Sequence, residues 1–180
     1  MFRFLNYCTD ISRNFIKVRQ TSKDKAVNNT MKSLYKVVKN IISPEEAYEI
    51  SEAIKKSPKN EGDAQTPKSF AYYNLSACNI LLGRLIERIS KHTGKKLRPT
   101  YTYCRVYFKG ADLKPHKDRP SCEYSVTLNL SQTHPWPIFM GKQSITQTPG
   151  DAVIYKGCEI EHYRQEFEVT NTSRCFCITW

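Results

Sequence analysis

The stretch Leu97–Leu130, LRPTYTYCRVYFKGADLKPHKDRPSCEYSVTLNL, decides how the chain folds. Tyr, Thr, Val and Leu recur in short runs separated by turn formers such as Lys109-Gly110 and Arg119-Pro120. Aromatic and β-branched residues in runs of this length read as strands. The texture persists to the end of the chain and predicts strands over roughly 100–108, 112–118, 123–131, 137–140, 143–147, 151–155, 160–164 and 173–180.

Upstream of Gly94 the periodicity is different. Ser43-Pro44-Glu45-Glu46 predicts a helix start: Ser43 caps, Pro44 suits the first helical position and Glu46 completes a capping box. Ala47, Ile50 and Ile54 follow at helical spacing, with an end near Ser57-Pro58. Leu75, Cys78, Leu82, Leu85 and Ile89 step by three and four residues and predict a second helix to His92, with Gly94 as its cap. Leu34–Ile42 reads as an entry strand, and KNEGDAQTPKS, Lys59–Ser69, reads as a loop by composition. Helices followed by about eight short strands imply an α+β chain: a jelly roll backed by N-terminal helices. The expected division is a basic, loosely docked extension over 1–33, a strand and supporting helices over 34–96, and the β core over 97–180.

With 180 residues, 39% hydrophobic and 25% charged, the chain is long enough for one buried core and is neither fibrous nor disordered in composition. No apolar run reaches the roughly 20 residues of a membrane-spanning helix. The opening MFRFLNYC is too short for a secretory apolar region, which points to an intracellular, cytoplasmic protein. Arg3, Arg13, Lys17 and Arg19 against the single acid Asp10 leave a mitochondrial-type targeting peptide as the alternative. Seven cysteines without a Cys-x-x-Cys pair read as reduced, structural thiols. The net charge of +11 favours anionic partners, nucleic acid or an acidic protein surface. The plainer reading is a solvated face plus a flexible basic arm, since no aromatic-interleaved RNA motif accompanies the charge.

His116-Lys117-Asp118 carries the first chemistry. In a strand, positions i and i+2 face the same way, so the imidazole and the carboxylate project together. They supply two sites of a 2-His-1-carboxylate triad, an arrangement that binds Fe(II) and leaves positions open. The third ligand comes from the remaining histidines. His92 ends a helix, where its charge suits the dipole. His134 lies between prolines in Thr133-His134-Pro135-Trp136-Pro137, a loop. His162 follows the turn Thr148-Pro149-Gly150-Asp151 and the apolar strand Ala152–Tyr155, and a jelly roll returns such a late strand beside an early one. His162 is the choice, with His134 second.

Tyr107-x-x-Gly110-x-x-Leu113-x-x-His116-x-Asp118, Pro149-Gly150-Asp151-Ala152 and Arg174-Cys175-Phe176-Cys177-Ile178-Thr179-Trp180, in that order, resemble motifs of the Fe(II)/2-oxoglutarate-dependent dioxygenases, in their prolyl-4-hydroxylase-like branch. The resemblance spans about Val37 to Trp180. It implies a double-stranded β-helix core that uses Fe(II), O2 and 2-oxoglutarate, with ascorbate as a supporting reductant, to hydroxylate a C–H bond on a prolyl or other protein residue. It also implies that Arg174 pairs with the distal carboxylate of 2-oxoglutarate, as a guanidinium fork can, and that Tyr107 hydrogen-bonds the co-substrate. Arg164 competes with Arg174 for that anchoring role, and Asn129, Thr127 and Tyr103 fall where further pocket residues are expected. Trp136, Ile138 and Trp180 read as core. The branch often has a tyrosine where Leu113 stands, and many members continue past the last strand. Two other readings remain at this stage: the same chemistry on a nucleic-acid base, and a jelly-roll binding module without a metal.

Overall fold

The computed structural model describes residues 33–58, 60–61, 66–168 and 175–179. Two antiparallel sheets, two complete helices and the helical residues Ser33 and Leu34 account for the regular structure among them, so the expected entry strand Leu34–Ile42 is confined to Tyr35–Val38. The seven-stranded sheet has the order β1-β9-β6-β11-β4-β3-β2 and the four-stranded sheet the order β5-β10-β7-β8. Their strands are β1 (Tyr35–Val38), β2 (Asn60–Glu61), β3 (Ser69–Tyr73), β4 (Tyr103–Tyr107), β5 (Leu113–His116), β6 (Ser125–Gln132), β7 (Ile138–Met140), β8 (Gln143–Ile145), β9 (Ala152–Tyr155), β10 (His162–Arg164) and β11 (Cys175–Thr179). The helices are α1 (Pro44–Lys55) and α2 (Ser76–Thr93). The alternation of β4, β6, β9 and β11 in one sheet with β5, β7, β8 and β10 in the other is the double-stranded β-helix expected from the sequence.

The large sheet is a divider. On β4, β6 and β9, Cys104, Val106, Val126, Leu128, Leu130, Ala152 and Ile154 belong to one buried cluster with Leu81, Leu82, Leu85 and Ile89 of α2 and Ala47 and Ile54 of α1. The alternate residues Val153 and Tyr155 join Ile138, Met140, Ile145 and Ile160 in a second cluster between the two sheets. Strand parity therefore assigns each residue to a helix-backed core or to the space between the sheets.

The helix ends follow local chemistry. Glu46 N donates to Ser43 Oγ at 3.1 Å, and Gly94 closes α2 in the left-handed region at φ 68°. The capping box is not closed as expected: the Glu46 carboxylate pairs instead with Arg84 of α2, linking the two helices. A second correction concerns Lys59–Ser69. Asn60–Glu61 forms β2 and Ser69 begins β3, which extend the large sheet beyond β4. Phe70, Tyr72 and Tyr73 had the needed β character, but the polar composition just before them masked it. The expected strand 112–118 is shorter than read and ends at His116, so Asp118 lies two residues past its end.

One polar clasp holds the entry strand in place. The buried Asp151 accepts from Lys39 Nζ at 2.7 Å, Asn40 N at 3.1 Å, Thr148 N at 2.8 Å and Thr148 Oγ1 at 2.7 Å. Burial would raise its pKa, but these bonds outweigh it and hold the carboxyl below its ordinary value. Gly150 sits in this turn at φ 90°, with its Cβ position against the Ile42 carbonyl, so only glycine fits.

Candidate metal centre

The pairing of β5 with β10 creates the site. His116, last in β5, lies directly opposite His162, first in β10. Their ring centroids are 4.2 Å apart. Asp118 turns in beyond the strand end, with Oδ1 at 3.7 Å from His116 Nε2 and 3.6 Å from His162 Nε2. One ligand atom from each residue lies within 4.8 Å of the others. An ion bonded at about 2.1 Å to each would hold adjacent ligands about 3 Å apart, so only a small inward adjustment is needed.

The surroundings fix which atoms point inward. His116 Nδ1 donates to Lys114 O at 2.8 Å and His162 Nδ1 to Ile160 O at 3.2 Å. A carbonyl can only accept, so both rings carry the proton on Nδ1 and turn an Nε2 lone pair toward the centre. Burial pushes His162 down to about 4, Asp118 pulls it back up and His116 adds to the depression. It is therefore neutral at physiological pH, the form a metal requires. Ser125 Oγ donates to Asp118 Oδ2 at 2.5 Å, and Asp118 N donates to Gly157 O at 2.9 Å. A methyl group at Gly157 would collide with the Asp118 carboxylate, the Ser125 hydroxyl and the Cys122 carbonyl. Tyr155, buried on β9, places its phenol 3.3 Å from His162 Nε2. Its pKa is raised well above the ordinary value, first by burial and then by Asp118, so it stays a neutral phenol.

The three side chains open onto a cavity of about 260 Å³. Tyr103, Tyr107, Thr127 and Arg164 line it, as does Leu113 in the position where a tyrosine is common in the resembling branch. Arg164 is 2% exposed; Nη1 donates to Trp136 O at 2.5 Å and Nη2 to Gln147 Oε1 at 3.2 Å. Asn129 does not line the cavity: its Nδ2 donates to Gln132 Oε1 at 2.7 Å and to Gln147 O at 3.4 Å. His134 is exposed in its loop and is not part of the ligand cluster. Arg174 and Trp180 lie outside the described residues; β11 pairs with β4 from Cys175, opposite Tyr107, onward.

The sequence reading missed four residues here: Ser125, Gly157, Tyr155 and Arg105. Arg105 lines the cavity at 9% exposure, its guanidinium 4.6 Å from the Tyr103 ring. Burial would lower its pKa, but Tyr107 and Tyr103 raise it above the ordinary value, so the group is a permanent cation. The available signal was parity, because Arg105 sits between Tyr103 and Tyr107 on the same face of one strand.

The fold and site define the class of structure: a double-stranded β-helix with two histidines and a carboxylate at the open edge of its smaller sheet. Solved oxygenases share that fold. A Pseudomonas putida prolyl-4-hydroxylase superposes with a TM-score of 0.63 at 14% identity over 87% of this chain and 96% of that one. HygX from Streptomyces hygroscopicus, solved with nickel and 2-oxoglutarate bound, gives 0.65 at 12% identity over 89% and 86%. A Trichoplax adhaerens prolyl hydroxylase in complex with a hypoxia-inducible-factor peptide fragment gives 0.62 at 12% identity over 86% of each chain. No protein-family model matches the sequence, and no curated protein matches it. Among the described residues, no helix is long and apolar enough to cross a membrane.

Proposed function

We propose that this chain is a 2-oxoglutarate-dependent oxygenase that holds Fe(II) through His116, Asp118 and His162 and hydroxylates a C–H bond of a protein residue, prolyl first among them. The observation that carries this reading is the convergence of the three side chains across the β5–β10 pair at the wall of a cavity lined by cations. The donor set fits the ion: two imidazoles with Nε2 directed inward and one carboxylate, leaving the cavity side open. When bound, ferrous iron with 2-oxoglutarate and O2 supplies decarboxylation of the co-substrate coupled to insertion of one oxygen atom into a C–H bond.

The protein's own tasks are positional. Ser125 and the Asp118–Gly157 backbone bond fix the carboxylate, and the Lys114 and Ile160 carbonyls fix the imidazoles. Arg174, which directly precedes Cys175 in the sequence, is assigned the distal carboxylate of 2-oxoglutarate, with the Tyr107 phenol hydrogen-bonding the same molecule. Arg164 is tied to Trp136 O and Gln147, a backbone-anchored geometry that suits a wall of the pocket better than a mobile clamp. Thr127 and Tyr103 complete the lining. Tyr107 packs with Ala111, Trp136 and Phe167 in a buried cluster that holds its ring in place. Ascorbate would serve to keep the iron ferrous.

Anaerobic titration with Fe(II) and 2-oxoglutarate tests the reading. The expected result is the visible metal-to-ligand absorption band, abolished when His116→Ala and Asp118→Ala are combined. A band unchanged in that double variant overturns the ligand set. Incubation of the aerobic protein with peptides and oligonucleotides, read by mass spectrometry for the gain of one oxygen atom, then tests the substrate class.

A further inference from the structure

The cavity has a mouth whose chemistry the reaction itself does not require. Tyr73, last in β3, pairs with Tyr103 of β4 and is 55% exposed. Its ring centroid lies 5.2 Å from that of Tyr101 at an interplanar angle of 30°, and 6.2 Å from that of Tyr103. A guanidinium covers each inner ring: Arg119 is 5.6 Å from the Tyr101 centroid and Arg105 is 4.6 Å from that of Tyr103. Lys117 and Arg119 are exposed at the edge beside the metal ligands. Among the described residues, the lining holds four fixed cations, Arg105, Lys117, Arg119 and Arg164, and the single acid Asp118, which is committed to the metal centre. Tyr73 meets Tyr101 at a tilt and Tyr103 edge-on, and with a guanidinium over each of those two rings the group forms a preorganised aromatic shelf that carries positive charge for an anion.

We propose that Tyr73, Tyr101 and Tyr103 together with Arg105, Lys117 and Arg119 select peptide substrates that carry a carboxylate side chain on a residue neighbouring the one delivered to the metal. This rests on the reading of the chain as a protein-oxidising oxygenase. With the co-substrate's distal carboxylate assigned to Arg174, the cations Arg105, Lys117 and Arg119 favour a second anionic group, and cavity size chooses between an acidic peptide and a nucleic acid. A space of about 260 Å³ must accept both the co-substrate and the target group. That is below the roughly 300–1,000 Å³ usual for small-molecule pockets. It suits one amino-acid side chain better than an extruded base. Backbone tracking of a nucleic acid also calls for a basic groove across several nucleotides, whereas the exposed cations of this lining are Lys117 and Arg119, two residues apart at one mouth. Arg105 is a specificity-determining residue in this scheme: it touches the substrate's acidic neighbour and not the reacting carbon.

The test uses the full chain loaded with Mn(II) and 2-oxoglutarate, which holds the site without turnover. Labelled proline-centred peptides are compared in matched pairs that differ only by Asp against Asn, or Glu against Gln, beside the proline. Fluorescence anisotropy should show the acidic member of the preferred pair binding about tenfold tighter, an advantage that shrinks with salt. Arg119→Gln, at an exposed position, should remove most of the acid preference while Mn(II) and 2-oxoglutarate bind as before. Arg105→Gln should do the same, and Tyr73→Ala should weaken both members of a pair alike. Normal loading with no preference for the acidic member overturns this inference alone. So does an Arg105→Gln variant that loses 2-oxoglutarate but keeps the preference, since Arg105 would then serve the co-substrate. Tighter binding of a single-stranded oligonucleotide than of any acidic peptide also overturns it, and assigns the rim to nucleic acid. Failure of the unsubstituted protein to bind Mn(II) and 2-oxoglutarate overturns the functional reading, and this inference falls with it.

Discussion

The two faces of the large sheet make opposite use of the same strands. On β6, Val126, Leu128 and Leu130 enter the helix-backed core, while Ser125, Thr127 and Asn129 alternate with them on the other side. All six are buried. The helix face gains by removing apolar surface from water, at about 25 cal/mol per Å². The opposite face places a hydroxyl on the Asp118 carboxylate, a threonine in the cavity wall and an amide in the turn network, and each must find a hydrogen-bond partner to be tolerated. Stability is thus built mainly on one side of the sheet and chemistry on the other, joined by a shared backbone.

The largest expected effect breaks the first face. Leu128→Ala removes a fully buried side chain between β6 and the helices. It should destabilise the protein by about 2–5 kcal/mol, read as a lowered midpoint in denaturant, while metal affinity of the folded fraction is retained. Metal affinity that fell along with stability would show that the two faces are not separable.

Acid probes the second face. His162 is held neutral in the folded, metal-free protein down to about 4, whereas an unfolded histidine takes its proton near 6.5. Between those values the unfolded chain binds more protons, so stability falls as pH is lowered through the window and levels off below it. The loss should be at most of order 3 kcal/mol. His162→Gln should flatten the dependence in that window, as measured by thermal midpoints at a series of pH values. An unchanged slope in the variant would remove His162 as its source.

These effects separate what was legible in the sequence from what was not. The strands after Thr100 were readable because alternation and turn residues act locally, and the same holds for the cap at Ser43 and the stop at Gly94. That His116, Asp118 and His162 come together was readable because their residue types are scarce and their order is constrained by the fold. β3 was lost because a polar stretch adjoins it, although it supplies Tyr73 at the cavity mouth. Gly157, Ser125 and Tyr155 were not readable, since each matters through a partner far away in the chain. Asn129 shows the limit of motif spacing: it shares Thr127's side of β6, yet two residues further along the strand it meets Gln132 and Gln147 instead of the cavity.

Ser125→Ala sharpens the contrast at a smaller scale. The Ser125 hydroxyl orients Asp118 without touching the ion, and loss of such a partner typically lowers metal affinity about 10–100-fold. Competition with a chelator of known affinity measures it. Stability of the metal-free protein should change far less than in Leu128→Ala, because no large apolar group is removed. Equal losses in both quantities would mean that Ser125 acts as core packing.

The smallest effect belongs to a residue that touches neither face of β6. Ser43 Oγ accepts from Glu46 N at the start of α1, and α1 packs through Ala47 and Ile54 into the helix-side cluster. Ser43→Ala should cost about 1 kcal/mol, read by chemical denaturation, with unchanged affinity for Mn(II). Combined with Ser125→Ala, the stability changes should add within about 0.5 kcal/mol, since the two share no partner. A clear departure from additivity would show that the sheet transmits strain from its helix face to the metal centre, and the division of labour between the faces would then be one of degree.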